Sequence, residues 1–295
     1  MNEAGPLYSS FIVNCVLNAF SAYTATMLNI LTIHAMRKTS SLPKPLKRLL
    51  LSLAVSDLGV GLLARPLHVV WIVNPTNSTR IPFSIAFLFV NASFFSVVAI
   101  SVDRFLALHL HLRYQELVTH KRVVTAVILI WVLCVSLPLI SIVSSEEIAN
   151  IVTITILGFC FIMTAVVYCS IYFTVKHHRS QIQVQQAQVT QNAQNSQTES
   201  AARQRKVAVS TFYVFLVFLV CNLPEYCGGV ASLISAPSTA LEGLWLYSLT
   251  LLFFNSSLNP VIYCWKMRHI RHAIIDTLRN IRQNCNPTTA ARVTS

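Results

Sequence analysis

Charge is what this chain has least of. Only 11% of its 295 residues are Asp, Glu, Lys or Arg, where a soluble domain carries about a quarter. With 54% hydrophobic residues and a mean hydropathy of +0.60, it is not a water-soluble domain. The chain also lacks a His-Glu-x-x-His helix, a Gly-x-Ser-x-Gly turn and paired aspartates at protease-like sites, which leaves an intramembrane hydrolase without its chemistry. Its apolar blocks show no self-similarity, so neither a soluble helical repeat nor an inverted-repeat transporter is indicated. No basic segment precedes the first apolar run; no cleavable signal peptide is expected, and the first span does its own targeting. Cys15, Cys134, Cys160, Cys169, Cys221, Cys227 and Cys264 lie within apolar runs and Cys285 in the tail, so no loop disulfide is expected.

What the chain does have is length in its apolar runs. A bilayer core needs roughly 20 mainly apolar helical residues to cross it. Seven runs qualify, at about 11–36, 46–73, 81–109, 121–143, 148–176, 205–235 and 241–265. The expected fold is all-α, a seven-transmembrane-helix bundle with a short cytoplasmic amphipathic eighth helix. Residues 1–10 would form an extracellular amino terminus and 11–265 the membrane domain. Within that domain, 177–204 is a flexible, Gln-rich cytoplasmic loop that cannot bury a core. An amphipathic helix at 266–284 and a tail at 285–295 would complete the chain.

Basic residues set the orientation. Of 22 Lys and Arg, 20 lie at the ends and loops of one side, and only Arg65 and Arg80 fall on the other. Short basic loops stay cytoplasmic, so the amino terminus is expected outside and the carboxyl terminus inside, as in a multi-pass plasma-membrane protein. The net charge of +12 then reflects contact with anionic membrane lipid, not nucleic acid. Asn77-Ser78-Thr79 is a glycosylation sequon in an outside loop. Cys285 follows a basic amphipathic stretch and is either a palmitoylation site or a free thiol.

An ionisable side chain within a span is expensive and marks a functional candidate. There are four: Asp57, Asp103, Glu225 and Arg65. Polar residues are also concentrated in "NSSLNPVIY", Asn255 to Tyr263, where Pro260 removes a backbone donor and bends the helix.

Seven spans with "LAVSD" in the second, "DRF" closing the third, Trp131 in the fourth, "CNLP" in the sixth and "NSSLNPVIY" in the seventh resemble the rhodopsin-like (class A) G-protein-coupled receptors. The resemblance runs from Asn29 to the amphipathic stretch after Lys266. It implies a non-enzymatic receptor that binds an extracellular small-molecule, lipid or peptide ligand and activates a heterotrimeric G protein. On the family pattern the switch residues are Asp103, Arg104, Phe105, Tyr168, Asn259, Pro260 and Tyr263. Asp57, Ser93, Asn255 and Asn259 match positions that surround a sodium ion and waters, the alternative being a water-filled polar network. No other cofactor is implied.

The departures are informative. The amine-binding acid of monoamine receptors would fall at Ala86 and the retinal lysine of opsins at Phe253, so neither subfamily fits. The fifth-helix proline is Cys160, the usual third-helix cysteine is Thr79, and the aromatic toggle before Pro224 is Asn222. These resemble the melanocortin, cannabinoid, lysophospholipid and adenosine group more than peptide or amine receptors. Gln204 replaces the acid that often restrains Arg104, which implies a weakened resting lock. Arg65, His68, Ala86, Asn222 and Glu225 are the ligand-pocket candidates. Glu225 either binds a cationic ligand group or pairs with Arg65; His68 reads as pocket wall. The alternative from another class is a seven-helix transporter or ion pump with Asp57 and Asp103 as relay groups.

Overall fold

The computed structural model of the protein describes residues 4–39, 42–73, 80–110, 113–186, 195–234 and 239–285. Among the described residues there is no strand. The helices are α1 (Ala4–Lys38), α2 (Lys44–Gly59), α3 (Arg65–Val73), α4 (Arg80–Leu110), α5 (Tyr114–Leu117), α6 (His120–Val143), α7 (Glu146–Gln186), α8 (Asn195–Ile234), α9 (Thr239–Lys266) and α10 (Arg268–Cys285). A π turn at Val60–Ala64 joins α2 to α3, so the two form one interrupted span.

Six spans are long and apolar enough on their own to cross a bilayer: Phe11–Lys38, Lys44–Val73, Ser84–Leu110, His120–Ile140, Glu147–Phe173 and Phe212–Ile234. The seventh is α9, which packs against α1 and α8 and whose apolar character is diluted by the polar run at Asn255–Pro260. α1, α2, α6, α7, α8 and α9 form a ring, and α4 passes through it in contact with α2, α6, α7 and α8.

The surface is inverted relative to a soluble protein. Phe20, Phe159, Phe173, Val220 and Trp265 are all more than half exposed, whereas Asn14, Asn18, Asn29, Asp57, Arg65 and Asn259 have no exposure at all. Lipid tails are as apolar as Leu, so the ring is held by close packing and by interhelical hydrogen bonds worth about 0.6 kcal/mol on average. Asn14 on α1, for example, donates to Thr250 on α9 at 2.8 Å. On α6, Trp131 Nε1 donates to Ser52 at 3.1 Å, and Ser52 in turn meets Ser96 on α4 at 3.2 Å.

The ends agree with the local chemistry. Thr119 caps α6 by accepting from the Arg122 amide, and a proline opens α2. Met267 interrupts the chain between α9 and α10. Beyond it, Ile270, Ile274 and Thr277 form the buried stripe of α10, which rests on α1.

Three boundaries differ from the sequence reading. α1 begins at Ala4, inside the segment expected to be an extracellular tail, and α7 and α8 extend to Gln186 and from Asn195, into the Gln-rich loop. Ala, Gln and Arg are good helix formers once a span has supplied the nucleus. Asn77, Thr79 and residues 286–295 lie outside the described residues, as do the side chains of Gln204 and Cys285.

Candidate functional site

Asp57 lies in the last turns of α2 with no exposed surface. A carboxylate in that position needs donors. Ser93 on α4 donates to Oδ1 at 2.8 Å, and the Asn259 amide on α9 donates to Oδ2 at 2.8 Å. Three of the four expected polar-core residues therefore meet. Asn255 is buried nearby on α9, but its Oδ1 has no partner.

Pro260 has an identifiable effect within this core. Its missing N–H would have bonded to the carbonyl four residues back, Ser256. That carbonyl instead accepts from the Asn29 amide at 3.0 Å, and the same Asn29 nitrogen also donates to Ala25 within α1 at 2.9 Å. Asn29 is thus the donor that compensates for the proline, across two helices.

Arg65 is fully buried. Its Nη2 donates to the Phe253 carbonyl and, at 3.3 Å, to the Ser257 hydroxyl, both on α9. Nε and Nη1 have no hydrogen-bond partner. Glu225 instead accepts from Ser248 on α9. Asp103, for its part, pairs with Arg104. The pairing of Arg65 with Glu225 that the sequence left open is not formed: each charge reaches α9 separately.

Around these charges the outer part of the bundle is aromatic. His68 stacks on Trp71 with centroids 5.8 Å apart and meets Phe253 edge-on at 5.4 Å; Trp71 meets Trp245 at 5.2 Å. Both His68 nitrogens are without hydrogen-bond partners, so the ring serves as packing surface. Ala86 is buried in the same apolar cluster, with Leu249, Leu252 and Phe253. Asn222 turns its amide onto its own helix, donating to Phe218 at 2.6 Å.

At the other end Asp103 and Arg104 are both buried. Arg104 donates to Asp103 Oδ2 through Nε at 2.9 Å and also through Nη2. Tyr114 on the short helix α5 donates to Oδ1 at 2.7 Å, a partner that the sequence reading missed. Burial, then the adjacent Asp103 carboxylate, push the Tyr114 phenol above its ordinary range. Tyr168 accepts from Ser101 on α4 at 3.1 Å and stacks on Phe215 at 4.3 Å. The Tyr263 hydroxyl is buried with no partner, within electrostatic reach of Asp57 and Tyr168. Phe105 packs on His109 with ring centroids 4.3 Å apart.

The family model for the 7 transmembrane receptor (rhodopsin family) matches residues 28–150 and 141–263. The chain is a rhodopsin-family G-protein-coupled receptor. Adenosine receptor A2b of Bos taurus is 26% identical over 298 residues, covering 90% of each chain. Adenosine receptor A3 of Canis lupus familiaris is 25% identical over 84% of each. Melanocortin receptor 4 of Danio rerio is 26% identical over 91% of this chain and 85% of its own. A multi-pass membrane receptor that signals through G proteins, with no catalysis of its own, follows from that membership, and the transporter reading is not favoured.

What the sequence reading missed in this receptor is mostly pairing. Asn29 was in view as a residue and Tyr114 was not, and which atom each satisfies depends on where helices cross. The sodium ion implied by the family pattern can now be tested against the residues present. A small hard cation needs inward-facing oxygens and net negative charge. Inward-facing oxygens are present at Asp57, Asn255 and Asn259, but the buried Arg65 guanidinium, bonded to Ser257 beside them, removes the net negative charge, so on charge the residues do not fit a sodium ion.

Proposed function

We propose that the receptor sits in the plasma membrane with its amino terminus outside, and that its ligand enters the outer part of the bundle among α3, α4, α8 and α9. Glu225 carries this reading. It is a half-buried carboxylate one residue past Pro224, held by Ser248 and close to the Trp245 wall. A carboxylate so placed favours a ligand presenting a cationic or N–H donor group, with an apolar or aromatic body for His68, Trp71 and Phe253 to cover. Asn222 and Ala86 complete the candidate lining. The named relatives include receptors for adenosine and for melanocortins, so nucleosides and peptides are the first classes to screen, followed by amines and lipids.

The opposite end is proposed to engage the G protein through Asp103, Arg104, Phe105, Tyr168, Asn259, Pro260 and Tyr263. In the resting arrangement Arg104 is held by Asp103; signalling would release it towards Tyr168 and Tyr263. A panel of G-protein-activation assays against those ligand classes tests the whole reading. For any ligand found, Glu225→Gln should lower potency by roughly tenfold or more, the loss of one charge-assisted hydrogen bond. Unchanged potency at normal surface expression would remove Glu225 from the ligand site.

A further inference from the structure

We propose that Arg65 is a built-in counter-ion in this receptor, a cation covalently fixed to α3 that occupies the electrostatic role of a bound sodium ion at Asp57 and ties the second span to α9. The inference rests on family membership and on the buried core, not on which ligand binds.

Helix geometry brings the two charges into register. Along an unbroken α-helix eight residues turn roughly 800°, which would leave residue 65 about 80° off the Asp57 face. The π turn at Val60–Ala64 absorbs one residue. The two positions then behave as if about seven apart, within about 20° of a common face. Helical side chains lean towards the amino terminus of their helix, and for Arg65 that direction is towards Asp57.

The contacts agree. Arg65 Nη2 lands on Phe253 and Ser257, and Ser257 lies two residues before Asn259, a partner of Asp57. The two groups make no direct ion pair, but both are fully buried and reach the same stretch of α9, Asp57 through Asn259 and Arg65 through Phe253 and Ser257. Their unpartnered atoms are also complementary in kind: N–H groups at Arg65 Nε and Nη1, carbonyl oxygens at Asn255 and Asn259.

The charge balance decides against an ion. Asp57 alone would leave one negative charge in the core, which a cation relieves. With Arg65 present the compartment is neutral, and a second cation meets repulsion in a medium where Coulomb interactions are weakly screened. The Phe253 and Ser257 bonds give Arg65 a mechanical part as well, holding α3 to α9 above the Pro260 bend.

The test is thermal unfolding of purified, detergent-solubilised receptor in sodium chloride against N-methyl-D-glucamine chloride, each at about 150 mM. Wild type should melt at the same temperature in both. Arg65→Gln, which unmasks the carboxylate, should melt roughly 2–5 °C higher in sodium, and Arg65→Gln combined with Asp57→Asn should lose that response. Arg65→Lys, which keeps the charge, should remain insensitive. A sodium-stabilised wild type whose response Asp57→Asn abolishes would overturn the proposal. So would an Arg65→Gln protein that folds and ignores sodium. If Arg65→Gln does not fold, sodium titration of basal nucleotide exchange in membranes decides: independence in wild type and Asp57→Asn supports the proposal, and dependence in wild type overturns it.

Discussion

Replacing Asn29 by Ala removes a side chain that makes two buried hydrogen bonds, one to Ala25 in its own helix and one to the Ser256 carbonyl on α9. The first carbonyl still has its ordinary helical partner. The second does not, because residue 260 is a proline, so the substitution leaves a buried carbonyl unsatisfied. Such a group costs about 1–3 kcal/mol, although hydrogen bonds between membrane helices measure at the lower end, up to about 1.7. An expected loss of about 1–2 kcal/mol lowers the melting temperature by roughly 3–6 °C. The informative arm is a double-mutant cycle with Pro260→Ala, which restores a backbone N–H four residues after Ser256. In that background Asn29→Ala should cost less, with a coupling of about 1 kcal/mol. A thiol-reactive dye reporting exposure of the buried Cys134 and Cys221 follows the unfolding. Strictly additive effects would refute the idea that Asn29 substitutes for the donor that proline removes.

Two further expectations concern other parts of the molecule. At Gly61 a Cβ would come within 3.1 Å of the Thr26 backbone nitrogen and 3.2 Å of the Ala22 carbonyl, so the π turn lies directly against α1; Gly61→Val should lower the melting temperature by several degrees through about 1–3 kcal/mol of overpacking, and an unchanged value would mean that this crossing is not tight. Tyr114→Phe removes a donor to Asp103 and should raise basal nucleotide exchange by up to roughly tenfold as Arg104 is held less firmly. The same phenol gives a pH dependence: its folded pKa is raised above the ordinary value of 10.0, so its stabilisation is complete below about pH 10 and is lost as pH rises from there towards the folded value. Tyr114→Phe should show a shallower alkaline loss of stability than wild type; identical slopes would remove Tyr114 from the account.

The fold was legible because lipid imposes a coarse rule. Twenty or so apolar residues with charges confined to the ends admit few structures, and Phe20, Ile128 and Phe159, exposed in the bundle, are the residues that rule selects. Asp57, Ser93 and Asn259 were also legible as a group, through their match to the polar-core positions of the receptor family the sequence resembles. Less legible was everything that depends on helix phase. The π turn is one such case: nothing in "VGLLA" departs from an ordinary helical sequence, yet it rotates Arg65 and His68 relative to Asp57. With the phase of an uninterrupted helix, Arg65 reads as a pocket-facing cation and a partner for Glu225. With the extra residue it turns inward, and Glu225 is left to Ser248.

That rotation also bears on how the two ends of the receptor can communicate. α9 carries a contact for each charged group above and within the core: Ser248 for Glu225, Phe253 and Ser257 for Arg65, Asn259 for Asp57. Below them, in its last turns, the same helix carries Tyr263, whose hydroxyl is buried without a partner near Tyr168. A ligand that draws Glu225 away from Ser248 therefore acts on the helix whose bend is already relieved of one backbone hydrogen bond by Pro260. Because the Asn29 side-chain amide satisfies the carbonyl that Pro260 leaves free, a small displacement of α9 at the bend can exchange that hydrogen bond without unfolding a turn. A two-state shift of a few kcal/mol is then accessible, and on the proposed switch the unpartnered Tyr263 hydroxyl would be the group that gains a partner.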